Sequence, residues 1–209
     1  MTTYFVPAGY GSGEYEEKRS RFIGQVWPVE TEAEALAHIT AVKKEHYDAR
    51  PTCFAYIIRE GGIVRYGDDG EPQGTAGQPI LAVLNGAELQ NVCCTVTRYF
   101  GGVLLGTGGL VRAYTAAAKS ALEDAGISQM AQWRCVSIRC AYSQFDRVKR
   151  LLEEREAVTE NVDYGADIAI SALVREDKAE AFNTALRELS AGSITAEQTG
   201  ERFCGVRVK

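Results

Sequence analysis

The sequence predicts an α+β protein of two domains, residues 1–130 and 131–209, joined near 128–133. Three observations predict this organisation. A length of 209 residues with no long polar linker leaves room for two small cores. Strand-like and helix-like periods alternate from Arg21 to Ala125 around one glycine-rich segment. From Trp133 onward the order strand, helix, strand, strand, helix, strand fills about 70 residues, which is the ferredoxin-like βαββαβ arrangement.

The elements follow in order. "RFIGQVWPV" alternates as a strand, and "TEAEALAHITAVKKEH" reads as a helix opened by Thr31 and Glu34 at capping-box spacing. "TCFAYIIR" and "GIVRYG" flank "EGG" as a hairpin, and the polar loop "GDDGEPQGTAGQP" precedes a short apolar helix, "ILAVLNG". "NVCCTVTRYF" is a strand with Val92, Cys94 and Val96 on one face and Thr95, Thr97 and Tyr99 on the other. Beyond the glycines, Leu110, Ala113, Tyr114, Ala117, Ala121, Leu122 and Ala125 recur at helical spacing, with Gly126 placed as a C-cap. In the second domain "WRCVSIRC", "AVTENVDY", "DIAISALV" and "SITAEQT" read as strands, and "SQFDRVKRLLEER" and "KAEAFNTALRELS" as helices.

Composition narrows the function. The formal net charge of −5 argues against a protein that coats nucleic acid by charge alone, and neither half is a basic module: 11 basic and 15 acidic side chains before residue 131, 12 and 13 after it. No apolar run reaches the roughly 18–20 residues of a membrane helix, and the N-terminus has no secretory pattern. A cytoplasmic protein with six free thiols is the expectation. Cys93 and Cys94 are expected as small buried hydrophobes on opposite strand faces.

The segment "RYFGGVLLGTGGLVRAYTAAA" is the richest in chemistry. A strand end at Arg98 and Tyr99, then Gly101, Gly102, Gly106, Gly108 and Gly109, suits close approach of an anion to backbone N–H groups. A helix starting near Gly109 would carry Arg112 in its first turn, where the dipole disfavours a cation by about 0.3–1 kcal/mol, so an anionic partner is expected. Asp68, Asp69 and Glu71 offer that partner within the chain. An internal ion-pair cluster with Arg98 and Arg112, an external phosphate, and Mg²⁺ held by the three carboxylates all remain open. The loop is neither a nucleotide P-loop nor a Rossmann fingerprint, since Gly-Lys-Ser/Thr is absent and the glycine spacing differs. His38 and His46 sit outside any hydrolase motif; His46 leads into a turn or into the same cleft.

The stretches "KRSRFIG", "HYDARPTCFAY", "DDGEPQGTAGQPIL" and "RYFGGVLLGTGGLVRAY" resemble the signature segments of the IMPACT/YigZ family, in order and over essentially the whole chain. The resemblance implies a first domain like elongation factor G domain IV, a fold shared with a small-subunit ribosomal protein and with GHMP kinases. It implies a second domain like elongation factor G domain V. It also implies a role in translation. The residues that match are Arg98, Tyr99, Gly101, Gly102, Gly106, Gly108, Gly109, Arg112 and Tyr114 in the long motif, and Asp68, Asp69, Gly70, Glu71, Gly74, Thr75 and Gly77 in the acidic one. The expected function is non-catalytic binding of RNA, a ribosome or a regulatory protein through the glycine-rich cleft. That cleft would be faced by Asp68, Asp69, Glu71 and Thr75, without a resident metal or cofactor. The alternative is an enzyme acting on a phosphorylated small molecule or nucleotide, with Mg²⁺.

Overall fold

The computed structural model describes residues 3–208, which form two compact α+β units: Tyr4–Met130 with the chain end from Gly205, and Ala131–Cys204. The first unit is a five-stranded antiparallel sheet with helices on both faces. Strands β1 (Tyr4–Pro7), β2 (Gly11–Glu17) and β3 (Ser20–Pro28) lead into helix α1 (Glu32–Glu45). Then come β4 (Thr52–Ile58), β5 (Ile63–Gly67), α2 (Gly77–Gly86), β6 (Val92–Tyr99) and α3 (Gly106–Ala125). The sheet order is β2-β3-β6-β4-β5, so the strand ending in Arg98 and Tyr99 lies at its centre.

Both faces of β6 are buried, as its unbroken apolar and threonine run requires. Val92, Cys94 and Val96 join Phe22, Val26 and Ile80 under α2 and α3, while Cys93 faces α1 with Ala35, Ile39 and Tyr56. The paired cysteines therefore do point to opposite faces. Burial pushes the Cys93 thiol up to about 12. Helix α1 starts at the expected cap: Thr31 Oγ1 accepts the Glu34 N–H at 3.2 Å.

Helix α3 lies unusually close to the sheet. A Cβ on Gly24 would stand 2.3 Å from the Ala117 carbonyl oxygen, and one on Gly11 2.2 Å from the Ala125 nitrogen. The glycines of β2 and β3 thus meet the alanine face of α3 backbone to backbone. Neither β1 nor β2 is expected from the sequence, because "GSGEYEE" lacks a strand's apolar alternation; its glycines serve this contact instead.

The second unit follows the expected order. Strand β7 (Ile127–Cys140) gives its first residues to the first unit, pairing with β1, and the rest to the second. There α4 (Tyr142–Glu154), β8 (Val158–Tyr164), β9 (Ile168–Arg175), α5 (Ala179–Leu189) and β10 (Ala196–Arg207) complete a sheet in the order β10-β7-β9-β8. Its core is built from Ile138, Val148, Leu152, Ile170, Phe182 and Leu186. No helix among the described residues is long and apolar enough to cross a membrane.

Candidate functional site

Three segments converge at one end of the first unit: the turn between β2 and β3, the glycine loop after β6, and the acidic loop before α2. The β2–β3 turn is the tightest possible, since Glu17 pairs directly with Ser20 and leaves only Lys18 and Arg19 between them. Both carry positive φ, 47° and 66°. That is the backbone of a type I′ turn, which Asn-Gly fills at least cost; a non-glycine residue there costs about 1–2 kcal/mol. Two long cations occupy it instead.

Ser20 fastens this turn to the glycine loop. Its Oγ accepts the Gly101 N–H at 3.1 Å and a contact from Arg98 Nη2 at 3.4 Å. Gly101 must be glycine, since a Cβ would lie 2.1 Å from the Arg19 carbonyl carbon. Gly102 and Gly106 take positive φ, 83° and 72°, and bracket the exposed tip.

Helix α3 begins at Gly106, not near Gly109: the left-handed Gly106 turns the chain, and Thr107, Gly108 and Gly109 wind into the first turn. Arg112 consequently lies in the second turn, exposed, and the argument from a first-turn cation does not hold. No side chain caps this terminus, and no acidic residue occupies the first turn. On the flank of the hairpin the Tyr15 hydroxyl donates to Glu17 at 3.1 Å, and this bond pushes its pKa up, with the Arg112 charge opposing. Lys18, Arg19 and Arg112 take part in no ion pair among the described residues.

The acidic loop is occupied from within. Glu71 Oε1 accepts Arg98 Nη1 and the Tyr114 hydroxyl, each at 2.8 Å, with both charged side chains more than nine-tenths buried. Arg98 lies between Phe22 and Phe100, its guanidinium carbon 5.5 and 5.2 Å from their ring centres, and its Nε has no partner. Burial, then Cys53 and the Glu71 carboxylate, push the Tyr114 hydroxyl far above the usual phenol range, so it remains a donor. Burial likewise pushes the Cys53 thiol up to about 12.

Asp68 does the work of a helix cap. One oxygen accepts the N–H groups of Ala76 (3.1 Å) and Gly77 (2.8 Å) at the start of α2, and the other that of Gly74 at 2.8 Å. Burial pushes this carboxyl up, but the three backbone N–H groups outweigh it and hold its pKa below the usual value. Asp69 accepts Thr52 N–H (2.9 Å) and Lys43 Nζ (2.7 Å), and Thr75 closes the loop on the Pro72 carbonyl at 2.6 Å.

Arg98 and Glu71 are therefore brought together, whereas Arg112, Asp68 and Asp69 are not. Gly108 is exposed, and Gly109 is buried against Leu105. Tyr99 faces α1: its hydroxyl is 2.9 Å from His46 Nδ1 and donates to Asp48 at 3.3 Å. His46 thus ties the end of α1 to the end of β6. Lys18, Arg19 and the apolar tip of the glycine loop are not among the site residues expected from the sequence. Phe100, Val103 and Leu104 are 55, 43 and 82% exposed. No strand pattern marks the first arm of this hairpin, so the signal left in the sequence is the Lys-Arg pair at the entry to the strand that follows.

A groove of about 810 Å³ lies elsewhere on this unit, between α2 and α3, lined by Pro79, Val83, Leu122 and Ile127 among others; no expected site residue lines it. Among the described residues, no three His, Cys, Asp or Glu side chains form a metal-binding group.

These features define a two-unit α+β protein with a glycine loop clamped to a hairpin whose turn is Lys18-Arg19, and the family comparisons agree with that division. The Impact N-terminal domain matches residues 18–122, and a domain of unknown function, DUF1949, matches 138–193. The chain belongs to the IMPACT family. It is 36% identical to IMPACT family member YvyE of Bacillus subtilis over 92% of this chain and 89% of that one. It is 33% identical to IMPACT family member YigZ of Escherichia coli over 93% and 97%. A crystal structure described as that of a hypothetical protein superposes with a TM-score of 0.59 at 32% identity, covering 96% of this chain and 98% of the other. The Protein IMPACT homolog of Dictyostelium discoideum is 34% identical over 48% of this chain and 30% of its own.

Proposed function

We propose that this protein is a non-catalytic, translation-associated binder that grips RNA phosphates with the rim formed by Lys18, Arg19, the glycine loop and Arg112. One observation carries the reading: two unpaired cations occupy consecutive left-handed positions in a hairpin turn clamped to Gly101. Backbone strain of about 1 kcal/mol or more per residue, kept where Asn-Gly would relieve it, is characteristic of functional sites. The uncapped start of α3, with free N–H groups and no acidic side chain in its first turn, adds to the same positive rim. Arg98 and Tyr114 serve from behind, holding the loop through Glu71.

The Mg²⁺-dependent enzyme is the weaker reading, because each loop carboxylate already has its partners: Asp68 the backbone of 74–77, Glu71 Arg98 and Tyr114, Asp69 Thr52 and Lys43. Family membership supports a role near translation, and the RNA of the ribosome is the polyanion we assign.

The test is co-sedimentation with ribosomes at low and moderate salt. Wild type is expected to pellet with them, and Lys18→Gln/Arg19→Gln/Arg112→Gln, checked for folding, is expected to stay in the supernatant. Equal pelleting of the two proteins, or none by wild type at low salt, overturns the reading.

A further inference from the structure

The rim leaves one feature unexplained. Directly beside the cationic turn, the loop exposes Phe100, Val103 and Leu104, with Leu104 at 82%, and Val111 one stretch further along α3 at 38%. Isolated exposed apolar side chains are ordinary on a protein surface, but three within five residues on one projecting turn form a patch that marks a contact. The turn is held at both ends. Gly101 is fixed to Ser20, and Leu105 turns inward against the core under α3. The left-handed glycines at 102 and 106 reverse the chain on either side, so Val103 and Leu104 stand out from a fixed base.

We infer that Leu104, with Val103, is an apolar wedge that enters a base step, or meets an unstacked base, of the RNA whose phosphates Lys18 and Arg19 hold. The inference rests on the reading above and names the contact that charge alone does not supply. Charge complementarity chooses the occupant: among the described residues no ion pair occupies Lys18, Arg19 or Arg112, and an apolar tip on a loop whose Gly101 packs against Arg19 fits a strand that presents phosphates outside and flat apolar rings inside. A nucleic-acid contact of this kind divides into a salt-dependent part from the cations and a salt-independent part from the wedge.

The test compares wild type, Leu104→Ser, Leu104→Phe and Lys18→Gln/Arg19→Gln. Binding is measured to intact ribosomes and to protein-free ribosomal RNA prepared from them, across a salt series. Leu104 touches solvent, and urea unfolding verifies that its variants fold as wild type does. Leu104→Ser is expected to weaken binding to both probes about tenfold at every salt, giving a line of log affinity against log salt parallel to wild type. Leu104→Phe is expected to retain the affinity. Lys18→Gln/Arg19→Gln is expected to flatten the slope.

If Leu104→Ser binds both probes as wild type does, the wedge is overturned and the cationic rim stands. A loss on ribosomes with no loss on naked RNA means that the tip meets a protein, which also overturns it. Failure of wild type to bind either probe removes the rim and the wedge together.

Discussion

Glu71 concentrates the chemistry of the acidic loop on one oxygen, where a guanidinium and a phenol converge in a buried setting. Removing one charge from such a pair strands the other, at about 3–5 kcal/mol. Glu71→Gln should therefore lower stability by about that amount in urea unfolding. The double variant Glu71→Gln/Arg98→Met should recover part of the loss, because no buried charge is then left. Asp68 supplies a pH signature. Its folded pKa is depressed below the ordinary 3.8, so its contribution is complete above that value and is lost as pH falls through the folded value. Asp68→Asn should thus shallow the acid limb of the stability profile and cost about 1–2 kcal/mol at neutral pH. That carboxylates and arginines meet was legible in the two motifs. Which ones meet was not, because Glu71 and Arg98 stand 27 residues apart and only the sheet order, with β4 between β5 and β6, sets their separation in space.

At the scale of elements, the β2–β3 hairpin and α3 oppose stability and binding in a way that one substitution pair can separate. Lys18→Asn/Arg19→Gly gives the type I′ turn its preferred residues and should raise stability by about 1 kcal/mol or more in thermal or urea unfolding. The same change should weaken association with ribosomes. A stabilised variant that binds unchanged would show that the turn is strained for another reason. The helices, the central strand β6 and the βαββαβ order were readable from period and capping. Strands β1 and β2 were not, since Gly11 and Gly13 are chosen for contact with α3 instead of for β-propensity. The start of α3 before Gly109 was not legible, because glycine gives no helical signal, although Thr107–Gly109 wind as helix once the left-handed Gly106 has turned the chain.

For the whole molecule, a net charge of −5 means that attraction to a polyanion must come from one place and be opposed by the rest of the surface. Three unpaired cations acting on three phosphates predict a slope of about −2 to −3 for log affinity against log salt, well short of the steep dependence of a basic coat protein. A measured slope near zero would mean that the rim holds no phosphates. The two units reproduce the division between the Impact N-terminal and DUF1949 matches, and the rim lies wholly in the first.

The backbone contact between α3 and the glycines of β2 and β3 sets a clock for the site. Helix α3 has no side-chain layer beneath Gly11 and Gly24 through which to slide, so its amide protons should exchange with deuterium only when the unit opens as a whole. Those of the tip, from Gly102 to Leu104, should exchange orders of magnitude faster. Only a few residues separate the two regimes, so a partner that seizes the tip orders very little chain, and the entropy lost on recognition is confined to a single turn.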